Sequence, residues 1–118
     1  MARKTMATEN NKTQTSTVEK GISINPMPAT AEETITISYS GLLAQSGATQ
    51  VYAHIGYGSN DNWYNVEDIP MNRAQDTWTC DVNPLDSQLN FCFYDGANNW
   101  DNNYGHNWSI IIHDGERV

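Results

Sequence analysis

Two stretches of this chain place a tryptophan among short polar side chains. The first, His54-Ile55-Gly56-Tyr57-Gly58-Ser59-Asn60-Asp61-Asn62-Trp63, reads as a strand running into a polar loop that ends on Trp63. The second, Asp95-Gly96-Ala97-Asn98-Asn99-Trp100-Asp101-Asn102-Asn103-Tyr104-Gly105-His106-Asn107-Trp108, sets Trp100 in the middle of a loop made almost wholly of Asn, Asp and Gly. Loops on a β scaffold run over the surface, so a tryptophan there exposes an apolar face unless something covers it. Such a face stacks on the patch of C–H groups that a pyranose ring presents, while neighbouring amides and carboxylates bond its rim of hydroxyls. Asn and Asp are short and lose little rotamer entropy in doing so. Two aromatics offset in angle suit the helical curvature of an α-1,4-glucan rather than the flat ribbon of cellulose.

The same residues raise other chemistries. A glycosidase needs two carboxylates roughly 5–10 Å apart across a cleft, and Asp61, Asp95 and Asp101 lie near the two tryptophans. A platform of loops on so small a domain offers no deep cleft, however, and no nucleophile–base pair or His/Cys metal spacing is present. His106 and His113 are seven positions apart with no third ligand in register. The expectation is a protein without catalysis, cofactor or metal. Oxygen ligands are dense between Asp95 and Asp101, but their spacing does not follow the EF-hand loop. An alternative from another class is an immunoglobulin-like protein-interaction module with exposed Trp and Tyr as its hot spot. Aliphatic or Arg anchors would then flank Trp63 and Trp100, where this chain has Asn and Asp.

The elements that must position these residues are strands. Ile22–Asn25 alternates and stops at Pro26 and Pro28. Glu33–Tyr39 reads E-T-I-T-I-S-Y, a strict period of two with β-branched residues, and is the clearest strand of the chain. Ser40-Gly41 makes a turn into a polar loop through Ser46-Gly47. Gln50–Tyr57 follows, then Val66–Met71, an edge candidate because Pro70 cannot donate to a ladder. Asp76–Val82, Gln88–Tyr94 and Trp108–His113 complete the set. Seven or eight short strands at this spacing predict an all-β fold, an immunoglobulin-like antiparallel β-sandwich spanning residues 21–118. Residues 1–20 are Thr-, Asn- and Lys-rich with almost no apolar content, and predict a disordered tail. Alternation assigns Trp78, with Cys80 and Val82, to the core, and Trp108 to the start of an inward-facing strand.

Composition narrows the partners. The chain has 118 residues, one domain by size. All four Trp and five of the six Tyr lie between Tyr52 and Trp108, so the aromatic content is concentrated in the half that carries the loops. The net charge of −8, from 6 Lys+Arg against 14 Asp+Glu, leaves no basic stripe for phosphates, which speaks against nucleic acid and anionic membranes. A neutral sugar suits the surface. No apolar run is long enough for a membrane span or a signal-peptide core, so the chain as written is expected in the cytoplasm, or outside the cell if it is a module excised from a larger enzyme. Alternation points Cys80 inward and Cys92 outward, which predicts no disulfide between them.

The run Val51-Tyr52-Ala53-His54-Ile55-Gly56-Tyr57, then Trp63, Met71, Trp78, Phe91-Cys92-Phe93-Tyr94-Asp95, Asn99-Trp100-Asp101-Asn102-Asn103-Tyr104-Gly105 and Asn107-Trp108 resembles the starch-binding modules of families 25 and 53. The order and approximate spacings match over about 90 residues, most specifically around Trp100. The resemblance implies a β-sandwich appended to amylases or starch synthases, with a surface platform of one His and two Trp. By motif position these are His54, Trp63 and Trp100, with Asp101, Asn102 and Asn103 as hydroxyl partners. It implies an α-glucan polysaccharide or maltooligosaccharide as ligand and a glucan-active enzyme as partner. Trp78 and Trp108 fall on family positions that read as core. The catalytic domain that such modules usually accompany is not in this sequence.

Overall fold

A computed structural model describes residues 16–19 and 21–114. Among them the strands are β1 (Ser16–Glu19), β2 (Ile22–Asn25), β3 (Ala29–Thr30), β4 (Ile35–Tyr39), β5 (Val51–Ser59), β6 (Asn62–Pro70), β7 (Asn72–Ala74), β8 (Thr77–Val82), β9 (Gln88–Asp95), β10 (Trp100–Asp101) and β11 (Trp108–His113). One sheet runs β1-β2-β4-β8-β7 and the other β3-β11-β9-β5-β6, with β10 paired to β9. The inner trio β2-β4-β8 and the quartet β11-β9-β5-β6 follow the strand order of an immunoglobulin-like sandwich. Every pairing is antiparallel except that of β3 with β11.

The sandwich closes because alternation puts one apolar row of each strand between the sheets. From one side come Ile22, Ile24, Ile35, Ile37, Tyr39, Trp78, Cys80 and Val82. From the other come Val51, Ala53, Ile55, Leu89, Phe91, Phe93, Trp108, Ile110 and Ile112. Trp78 and Trp108 are thus both core. Of the order of 1.5–3 kcal/mol accrues per buried large side chain, which makes this row the main stabilising term.

Four strands escape the sequence reading: β1, β3, β7 and β10, none longer than four residues. Elements that short carry too few residues for a period of two to stand out. The backbone of residues 16–19, expected in the tail, pairs with β2 and moves the start of the sandwich ahead of Gly21. Residues 1–15 and 20 of that expected tail lie outside the described residues. The expected polar loop after Gly41 contains one short helix, α1 (Leu42–Gln45), whose Leu43 is buried.

Candidate functional site

The outward faces of β5, β9 and β6 carry the aromatics that the core does not use. On β5 the outward positions are Tyr52, His54 and Gly56; register sets Tyr94 opposite Tyr52, Cys92 opposite His54 and Asn90 opposite Gly56. On the other flank Asp68 of β6 faces His54, and its carboxylate accepts from His54 Nδ1 at 2.5 Å. Trp63, expected in a loop, is instead the second residue of β6. Its ring folds back over Gly56: a Cβ there would stand 2.7 Å from Trp63 Cε3 and 2.9 Å from its Cβ, so only a residue without a side chain leaves space for the indole.

Asn60 fixes that indole. Trp63 Nε1 donates to the Asn60 backbone carbonyl at 2.9 Å and to Oδ1 at 3.2 Å. Asn60 Nδ2 in turn donates to the carbonyl of His106 at 2.8 Å, tying the β5–β6 turn to the loop before β11. The wholly buried Asn90 secures the same turn from below, donating from Nδ2 to the Gly58 carbonyl at 3.0 Å while its Oδ1 accepts from Ser109 Oγ at 2.7 Å.

Trp100 is presented by a self-contained turn. The Asp95 carboxylate accepts from the backbone N–H of Ala97 (2.9 Å) and Asn99 (2.8 Å) and from Asn99 Nδ2 (3.0 Å). These bonds, led by the Asn99 side chain, hold the Asp95 carboxyl below its ordinary pKa. Asn98 sits at φ 65°, a region that Asn tolerates, and its Oδ1 accepts from Trp100 Nε1 at 3.2 Å. Trp100 remains 46% exposed and stacks on Tyr94, with centroids 4.5 Å apart and planes inclined by 28°.

His54, Trp63 and Trp100 therefore come together. The imidazole centroid lies 5.5 Å from Trp63 at 31° and 5.4 Å from Trp100 at 87°. Asp101, Asn102 and Asn103 do not join them. Since Trp100 points out, the next residue on the strand points in, and Asp101 is buried, accepting from the Tyr39 hydroxyl at 2.5 Å. That hydroxyl also accepts from the Leu43 N–H at 3.0 Å, anchoring α1. Burial and the Asp101 carboxylate drive the Tyr39 pKa far up. Asn102 Oδ1 accepts from the Gly105 N–H at 2.9 Å, and Asn103, at φ 58°, donates from Nδ2 to the Asn107 carbonyl at 3.0 Å. Both shape the 102–107 loop.

Sequence reasoning missed Asn60, Asp68, Tyr52 and Tyr94. The two tyrosines had a usable signal, since the alternation that turns His54 and Cys92 outward turns Tyr52 and Tyr94 the same way. Cys92 does face outward, yet it is buried rather than exposed; burial pushes its thiol and that of Cys80 up to about 12, and both are free. Beside Trp100, a depression of about 530 Å³ opens between Tyr52, Tyr94, Asp68 and the Gly96–Asn98 turn. Among the described residues, no group of three His, Cys, Asp or Glu could hold a metal ion.

Residues 35–91 match the model of the starch/carbohydrate-binding module, family 53. Over that stretch the chain is similar to the family 53 starch/carbohydrate-binding modules. Of the two families that the sequence resembles, the match is to this one, and no curated protein matches the chain. The matched stretch runs from β4 to Phe91 in β9 and includes His54 and Trp63. Trp100 lies beyond it, on the turn that the end of β9 supports. The family is one of carbohydrate-binding, non-catalytic modules, and the chain here presents aromatic side chains on an outward sheet surface.

Proposed function

We propose that this protein binds α-1,4-glucan chains, whether starch, glycogen or maltooligosaccharides, without altering them, on a platform of Trp63, His54 and Trp100, and that it serves a glucan-active enzyme. One observation carries the reading. Against the same imidazole one indole is tilted by 31° and the other stands at 87°, so the two tryptophan faces are steeply inclined to each other. A ribbon of coplanar rings cannot lie on both, whereas a chain that turns as it runs can. His54, held by Asp68, fills the angle between them and offers its second ring nitrogen to a hydroxyl. Asp101, Asn102 and Asn103 act in this reading through the loops they brace.

An open surface of this kind gains a modest excess over desolvation, so a single site binds weakly and a long polysaccharide binds better through many contacts. Titration with maltoheptaose, followed by tryptophan fluorescence, should saturate, and cellohexaose should give no response. Trp63→Ala and Trp100→Ala should each weaken maltoheptaose binding by at least about tenfold while circular dichroism stays that of the parent. Equal responses to both sugars, or unchanged affinity in both variants, would refute the platform.

A further inference from the structure

The aromatic surface does not end at Trp100. Tyr94 stacks on it, and Tyr52 stacks on Tyr94 with centroids 4.9 Å apart and planes within 14°. Both tyrosines are half-buried and border the depression of about 530 Å³, a size within the roughly 300–1,000 Å³ of small-molecule sites. Of the platform residues His54 and Trp100 line it and Trp63 does not, so the depression shares part of the platform and adds Tyr52, Tyr94 and the Gly96–Asn98 turn to it.

Its polar groups are suited to sugar hydroxyls. Asn98 gives its amide oxygen to Trp100, and its amide nitrogen has no partner among the described residues. Asp68 bonds His54 through Oδ1 and lines the depression; desolvation first, then the Asp68 charge and a hydrogen bond to its carboxylate, raise the Tyr94 pKa. Asp95 also borders the depression, but its carboxylate already accepts three bonds within its own turn. Aromatic walls with an amide donor and a carboxylate acceptor continue, alongside His54 and Trp100, the combination that the platform uses.

We infer that this depression is a further glucosyl subsite, continuous with the platform, in which Tyr52 and Tyr94 pack against a sugar ring while Asn98 and Asp68 bond its hydroxyls. The inference rests on the α-glucan reading above. Its consequence is selectivity for chain length: a short oligosaccharide covers the platform alone, and a longer one reaches the tyrosines as well.

The test compares maltotriose with maltoheptaose by calorimetry on the wild-type protein and on Tyr52→Ala, Tyr52→Thr and Trp63→Ala. Tyr52→Thr puts a β-branched residue of high strand propensity in its place and guards against loss of folding. The expected result is that both Tyr52 variants bind maltotriose within about twofold of wild type and maltoheptaose about tenfold more weakly, whereas Trp63→Ala weakens both sugars. Tyr52 variants that bind both sugars like wild type, or lose both equally, overturn the subsite and leave the platform standing. A wild-type protein that binds neither sugar overturns the α-glucan reading itself, and the subsite with it.

Discussion

At the scale of single residues, the two indoles are held by side chains from other parts of the chain. Asn60 accepts the Trp63 indole N–H twice and bonds the neighbouring loop, so one amide sets both the tilt of a ring and the distance between two loops. Asp101 is the counterpart under Trp100. A buried carboxylate needs partners, and the Tyr39 hydroxyl is the one that reaches it from the opposite sheet. Tyr39→Phe keeps the ring, which stacks on Phe93 at 4.1 Å, but removes that donor and the acceptor of the Leu43 N–H. The loss should be about 1.5–3 kcal/mol of stability, read as a lower urea midpoint with an unchanged slope. An unchanged midpoint would mean that Asp101 finds water or another donor when Tyr39 is absent.

At the scale of elements, the β9–β10 turn is a separable device. Its three bonds to the Asp95 carboxylate are strongest with the ionised form, and Asp95 has a folded pKa below its ordinary 3.8. For a group whose pKa is lowered by folding, the stabilisation is fully present above the unfolded value and disappears as pH falls through the folded one. Maltoheptaose affinity should therefore lose its Asp95 contribution only below about pH 4, as the turn loosens and Trp100 loses its fixed position. Asp95→Asn should show weakened binding already at neutral pH and less further change on acidification. A variant with the parental affinity and the parental acid profile would assign the turn no part in holding Trp100. The Trp63 end of the β5–β6 hairpin works differently, through the space left by Gly56 and the neutral bonds of Asn60.

At the scale of the whole molecule, the charge of −8 and a neutral ligand belong together. Screening acts on pairs of charges, and a glucan brings none, so affinity for maltoheptaose should move by less than about twofold between about 20 mM and about 500 mM sodium chloride. A steep dependence would point to a charged partner and to the protein-interaction alternative. Much of this architecture is legible in the chain. The long strands β4, β5, β8, β9 and β11 announce themselves because burial of one face imposes a period of two, and Trp78 and Trp108 fall into the core by the same period. The concentration of aromatics beyond Tyr52 and the shortage of basic residues likewise belong to the sequence and point to a neutral, ring-shaped ligand. Alternation is a local property, however, and it cannot say which strand lies beside which. Only the register of β5 against β9 and β6 brings Tyr94 beside Tyr52 and Asp68 beside His54, and only the return of the chain through β10 turns Asp101 under the surface that Trp100 faces. The short strands, the burial of an outward Cys92 and the depression beside Trp100 all arise from pairings between residues far apart in the chain, whose energies depend on neighbours that the linear order does not place.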